Sequence, residues 1–189
     1  MSNPSHLLFL LFLLLAGACT ADQPSSSVLT KGDENELINR YTTQLVAKPE
    51  SQAEIDQNII VNLLIDSLWD FQRTDSGIYY QIQKAKIPSK GHPGLSSFIR
   101  AHYRGTLLNG KEFDSSYKRQ EPIEFRLSQV IAGWQEVMPL MKKGEKGTFL
   151  IPSELAYGPE GFAKMVPPNA VLKFDIHLLN YEDDPDNGF

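Results

Sequence analysis

Two kinds of side chain could do chemistry in this chain, and they lie apart. Nucleophiles, bases and metal ligands are few and scattered: His6, His92, His102, His177, the single cysteine Cys19, and adjacent Ser115 and Ser116 with no base near them in sequence. No GxSxG, HExxH, CxxC or glycine-rich phosphate loop occurs, so the usual hydrolytic, metalloprotease, dithiol and nucleotide chemistries have no motif to stand on. Four histidines without ligand spacing predict neither a metal site nor a cofactor. Aromatic and aliphatic groups gather instead where the chain bends, in FDSSYKR (113–119), VIAGW (130–134), AYG (156–158) and MVPPNA (165–170). Trp134 has no His, Cys or Ser within five residues. On residues alone it is either ordinary core or the apolar floor of a site whose reaction transfers no group. Asp114 is equally open, as a turn cap before two serines or as a polar group in an apolar wall.

The elements that must position these groups follow from hydrophobic period. Ile78, Tyr80 and Ile82 alternate with polar positions, as do Ile99, Ala101 and Tyr103; Ile123, Phe125 and Leu127; and Leu172, Phe174, Ile176 and Leu178. Period two predicts strands with one buried and one wet face, as in an antiparallel sheet. The Asn109-Gly110 pair is a hairpin signal. One short helix is expected between the strands, from Gly133 to about Met141, which makes the body an α+β layer arrangement. Before it, residues 33–47 read as a helix with Asp33 as N-cap. Residues 53–71 read as a stronger one, with Ile55, Ile59, Ile60, Leu63, Leu64 and Leu68 in one stripe. That stripe packs on its own domain or makes a homodimer contact.

The 189 residues suit one compact domain with added segments. A net charge of -5 and no basic stripe argue against a nucleic-acid partner. LLFLLFLLLAGA (7–18) is apolar and uncharged, too short to span a bilayer and the right length for a secretory leader. AGAC (16–19) resembles a bacterial lipobox, with Ala16 where Leu is usual. An exported chain whose only thiol stands at the processing point is expected to carry a lipid on Cys19, the alternative being a plain A-x-A cleavage site with Cys19 a bystander. The expected divisions are a signal peptide (1–18), a flexible tether (19–32), a helical segment (33–73), the β-rich body (74–181) and an acidic tail (182–189).

EFDSS (112–116), VIAGW, IPSELAYG (151–158) and VPPNAVLKFDIHLL (166–179), in that order, resemble the FKBP-type peptidyl-prolyl cis-trans isomerase family over residues 77–181. The resemblance implies a twisted antiparallel sheet wrapped around one short helix, with a pocket between them. Trp134 would be its floor. Tyr103, Phe113, Val130, Ile131 and Phe174 would be its walls. Asp114 would lie near Tyr103 and Arg119. Tyr157 and the Ile131 backbone N–H would address a substrate carbonyl, and Met165 and Val166 would line the rim. Ile123 stands where the family often has an aromatic residue, and Phe162 where a histidine is common. Implied partners are proline-containing polypeptides and macrolide ligands. The leader and Cys19 add an expected location, a lipid-anchored protein of the outer membrane facing the periplasm. The competing function is a membrane-tethered binding module or chaperone of the same fold with little isomerase activity.

Overall fold

A computed structural model of the chain describes residues 29–87 and 89–183. The leader, Cys19, the tether up to residue 28 and tail residues 184–189 lie outside the described residues. Among the described residues no helix is long and apolar enough to cross a membrane.

Helix α1 (Lys31–Thr42) starts two residues before the expected helix. Thr30, not Asp33, is its N-cap. Asp33 sits at the third helical position, where its carboxylate accepts from the Thr30 N–H at 3.0 Å while Thr30 accepts from the Asp33 N–H, a reciprocal box that satisfies two donors at once. The helix stops at Thr42 and not 47, because the next segment is tied to its neighbour. The Asn58 amide accepts from Val46 N–H at 2.9 Å and donates to Val46 C=O at 2.8 Å. Helix α2 (Gln52–Ser67) carries the same kind of box, from Ser51 and Glu54. It ends before the expected residue 71, since Leu68 turns left-handed at φ 52°. Trp69 and Phe71 then fold back and stack at 5.4 Å.

Seven strands follow: β1 (Gln72–Arg73), β2 (Tyr79–Gln83), β3 (Phe98–Leu107), β4 (Glu112–Ser115), β5 (Ile123–Arg126), β6 (Lys146–Ile151) and β7 (Leu172–Glu182). They form one sheet in the order β1-β2-β6-β7-β3-β4, with β5 also on β3, and every pairing is antiparallel. The long pair β3–β7 is its spine, paired from Phe98 opposite Glu182 to Leu107 opposite Leu172 with one register shift between Arg100 and Ala101. Glu182, assigned by sequence to the acidic tail, is thus part of β7, and Asp183 accepts from the Ser97 hydroxyl at 2.6 Å. The helix expected over 133–141 divides into α3 (Ala132–Val137) and a tighter turn over Met138–Leu140. Pro139 has no N–H with which to continue the α-helical ladder.

One face of the sheet meets α3. Ile78, Ile99, Ala101, Tyr103, Phe149, Leu172, Phe174 and Ile176 bury there with Trp134 and Val137. The expectation of a wet second face holds at the middle of β3, where Arg100 and Arg104 are exposed. It fails at β2 and β6. Tyr79, Leu150 and Val171 are buried on that second face under Leu37, Tyr41, Ile60, Val61 and Leu64 of α1 and α2. The α2 stripe therefore packs on its own sheet, and Ile55 and Ile59 at its margin remain 41% and 42% exposed. Each fully buried Leu or Ile of this layer contributes roughly 1.5–3 kcal/mol, which holds the helical segment on the sheet.

Candidate active site

Between the sheet and α3 the packing leaves a cavity of about 300 Å³. It is lined by Tyr103, Phe113, Asp114, Ile123, Gln129, Val130, Ile131, Trp134, Tyr157 and Phe174. Strand period brings Tyr103, Phe113 and Phe174 to one face of adjacent strands. The turn before α3 supplies Val130 and Ile131, and the first turn of α3 supplies Trp134. Tyr157 comes from a loop between two short helical turns, Ser153–Leu155 and Gly158–Glu160.

The wall is built from ring edges against ring faces. Trp134 meets Tyr103 at 5.2 Å and 83°, and Phe174 at 5.3 Å and 82°. Phe113 meets Phe174 at 5.7 Å and 89°. Such T-shaped pairs set the positive rim of one ring on the negative face of another and fix their mutual angle. Phe125 leans on Trp134 at 5.4 Å and 52°. Two close approaches leave room for this. A Cβ at Gly105 would lie 2.6 Å from Phe113 Cζ and 2.9 Å from Phe174 Cε1. One at Gly133 would lie 2.6 Å from Ile151 Cγ2 and 3.1 Å from the Leu155 carbonyl. The Trp134 Nε1 donor is buried and has no acceptor among the described residues.

One polar triad stands in this wall. The Tyr103 hydroxyl donates to Asp114 and accepts from Arg119 Nη2 at 2.9 Å, and Arg119 Nη1 pairs with Asp114. Burial, helped by the Asp114 carboxylate, pushes the Tyr103 phenol up to about 12. Burial also acts to raise Asp114, but the Tyr103 hydroxyl, the Arg119 guanidinium and the Ser115 N–H outweigh it and hold the carboxyl below the usual range. Tyr157 is raised by burial and by the charge of Asp114. Near neutral pH the site therefore offers two neutral phenols and one fixed carboxylate, and none of these groups titrates where a proton shuttle must.

Most residues singled out by sequence converge on the cavity, with exceptions. Arg119 stands behind Asp114 and reaches the site only through it and Tyr103. Phe162 is 47% exposed and stacks on Tyr157 at 4.7 Å, and Met165 is 40% exposed beside it. Val166, expected at the rim, is buried in the core and pairs its backbone with Phe162. Gln129 and Phe125 were missed. Gln129 belongs to no motif, whereas Phe125 follows the alternation of its strand. His102 and His177 face each other across β3 and β7, on alternate positions to Tyr103 and Ile176 and so on the far face. Ser116 accepts from the Tyr103 N–H at 2.8 Å and steadies the strand behind the pocket. Among the described residues no group of three or more His, Cys, Asp or Glu is arranged to hold a metal.

A family model described as FKBP-type peptidyl-prolyl cis-trans isomerase matches residues 89–179. The chain is 46% identical over 163 residues to "FKBP-type peptidyl-prolyl cis-trans isomerase FkpA" of Aeromonas hydrophila, across 85% of this chain and 58% of that protein. It is 47% identical over 111 residues to "FK506-binding protein 2" of Candida glabrata, across 55% of this chain and 80% of that protein. The crystal structure of FkpA from Escherichia coli superposes with a TM-score of 0.62 at 33% identity, across 84% of this chain and 76% of that one. The chain thus spans little more than half the length of the Aeromonas relative.

Proposed function

Because this chain belongs to the FKBP-type peptidyl-prolyl cis-trans isomerase family, we propose that its aromatic cavity catalyses rotation about Xaa-Pro bonds. The strongest support is the composition of the cavity wall: five rings or phenols and four aliphatic or amide side chains around one neutralised carboxylate, with no nucleophile aimed inward. Rotation breaks no bond, so none is required. The barrier of about 18–20 kcal/mol is amide resonance, and uncatalysed exchange takes roughly tens to hundreds of seconds. Taking the amide out of water against Trp134, Phe113 and Phe174 disfavours its planar, charge-separated form. The Tyr157 hydroxyl and the Ile131 N–H are the donors for the carbonyl of the twisted state, and preference for that state over the ground state is what accelerates the reaction. Asp114 keeps the Tyr103 phenol turned and electrically quiet, with Arg119 balancing its charge.

Proline-containing polypeptides are the substrates in this reading, and macrolides that mimic a prolyl amide are ligands. The leader and Cys19 add the location of an exported protein anchored by lipid at the outer membrane, facing the periplasm, where it assists folding of exported chains. Cys19→Ser is expected to release it from the membrane fraction. A second function, capture of unfolded chains with little turnover, is favoured by the exposed Phe162 and Met165 beside the cavity mouth. Turnover of an Xaa-Pro peptide separates the two. The isomerase is expected to lose at least about tenfold, or 1.4 kcal/mol of barrier lowering, in Tyr157→Phe and more in Trp134→Ala. A folded wild type without turnover would leave the binding module.

A further inference from the structure

The Tyr157 hydroxyl has no hydrogen-bond partner among the described residues, so its direction depends on the backbone that carries it and on the Phe162 ring stacked against it. That backbone is the turn Ser153–Leu155 followed by Ala156 in an unusual conformation (φ -118°, ψ -106°). Its own hydrogen bonds are local, Leu155 N–H to Pro152 C=O and Ala156 N–H to Ser153 C=O. The only side chain among the described residues that holds it from outside by hydrogen bonds is Asp56, on α2. Asp56 is fully buried. It accepts from the Ser153 N–H at 2.7 Å, from the Ser153 hydroxyl at 2.6 Å and from Gln52 Nε2 at 2.7 Å. At the other end of the turn the Leu155 carbonyl presses on bare backbone at Gly133, one residue before Trp134. A buried carboxylate is costly unless its lone pairs are used, and here they are used to clamp one loop of the site.

We propose that Asp56 is a positioning residue for the isomerisation site, bracing from the N-terminal helical segment the turn that sets the Tyr157 hydroxyl over the cavity. The helical segment then serves the reaction as well as the stability of the sheet. The proposal rests on the isomerase reading above. A misplacement of roughly 1 Å can cost about a hundredfold in rate, and loosening one anchor of a short turn is a fraction of that.

The test uses the full chain with Asp56→Ala and Asp56→Asn, each in the wild-type and the Tyr157→Phe background. The asparagine variant keeps an acceptor for the Ser153 N–H and guards against a variant that fails to fold. In the wild-type background kcat is expected to fall about tenfold in Asp56→Ala and about threefold in Asp56→Asn, with KM changed less than about twofold. In the Tyr157→Phe background both substitutions are expected to change kcat by less than about twofold, because residues that act through one another are not additive. Hydrogen exchange supplies a readout independent of turnover. The amides of residues 153–157 are expected to exchange about tenfold faster in Asp56→Ala, with β6 and β7 unchanged. Equal losses in both backgrounds, an unchanged kcat in folded variants, or unchanged exchange at 153–157 would each overturn the proposal. No turnover by a folded wild type whose exchange responds as stated would instead overturn the isomerase reading and leave the brace standing.

Discussion

The two faces of the sheet bury aromatic residues in opposite ways. Under α1 and α2, the buried Tyr41 hydroxyl lies 3.0 Å from the Trp69 carbonyl and 3.2 Å from that of Phe71, and accepts from the Phe71 N–H at 2.8 Å. Under α3, the buried Trp134 Nε1 has no acceptor among the described residues, and its ring borders an open cavity. Buried polar groups are nearly always partnered, so the first face has the character of a core and the second that of a site. Apolarity does not separate them, since both are apolar. What separates them is whether volume and hydrogen bonds are used up by the chain itself.

The contrast can be broken in four ways, taken from the largest effect to the smallest. Leu64→Ala, on the filled face, is expected to cost about 3 kcal/mol of stability while leaving kcat/KM of the folded protein unchanged. Chemical denaturation beside the peptide assay checks both halves, and a matching loss of kcat/KM would mean that the packing of α2 reaches the site by more than the Asp56 brace. Tyr41→Phe removes one oxygen and strands the Phe71 N–H, for a cost of about 2 kcal/mol. Trp134→Phe exchanges the indole for a smaller phenyl ring, yet it breaks no hydrogen bond among the described residues and the lost atoms border the cavity. It is expected to cost only about 1 kcal/mol, with its larger effect on turnover. A thermal melt in which Trp134→Phe loses more than Tyr41→Phe would invert the comparison. The smallest effect is electrostatic. The Asp114 carboxyl is held below the ordinary value of about 3.9, so its contribution is complete above that pH and is lost as pH falls through the lower folded value. Asp114 and Arg119 are 40% and 46% exposed, which limits the effect to less than about 1 kcal/mol. Melting temperatures between pH 4.5 and 2.5 should fall more for the wild type than for Asp114→Asn.

Much of the open face was legible in the sequence because it is built by strand period and contiguous motifs. Ile99, Ala101 and Tyr103 declare their face by alternation alone, and VIAGW carries three cavity-lining residues, Val130, Ile131 and Trp134, within five positions. The filled face was not read, although a signal was present. Phe149, Leu150 and Ile151 form an unbroken apolar run, which marks a strand buried on both sides, and Tyr79 between Ile78 and Tyr80 says the same. Asp56 could not be read. Its partner Ser153 is 97 residues away, and no spacing rule reaches that far. Val166 was misplaced because its backbone pairing with Phe162 turns it inward from a loop with no period. The helix ends were misjudged where side chains compete for backbone groups, as Asn58 does at Val46.

Gly105 never meets the space it governs. It lies behind the Phe113 and Phe174 rings, which rest on the absence of its side chain. The position makes no contact with whatever the cavity admits, yet one methyl group there would narrow the cavity from outside its wall. The bore of the site is set through a residue that is conspicuous only for having nothing to offer a ligand.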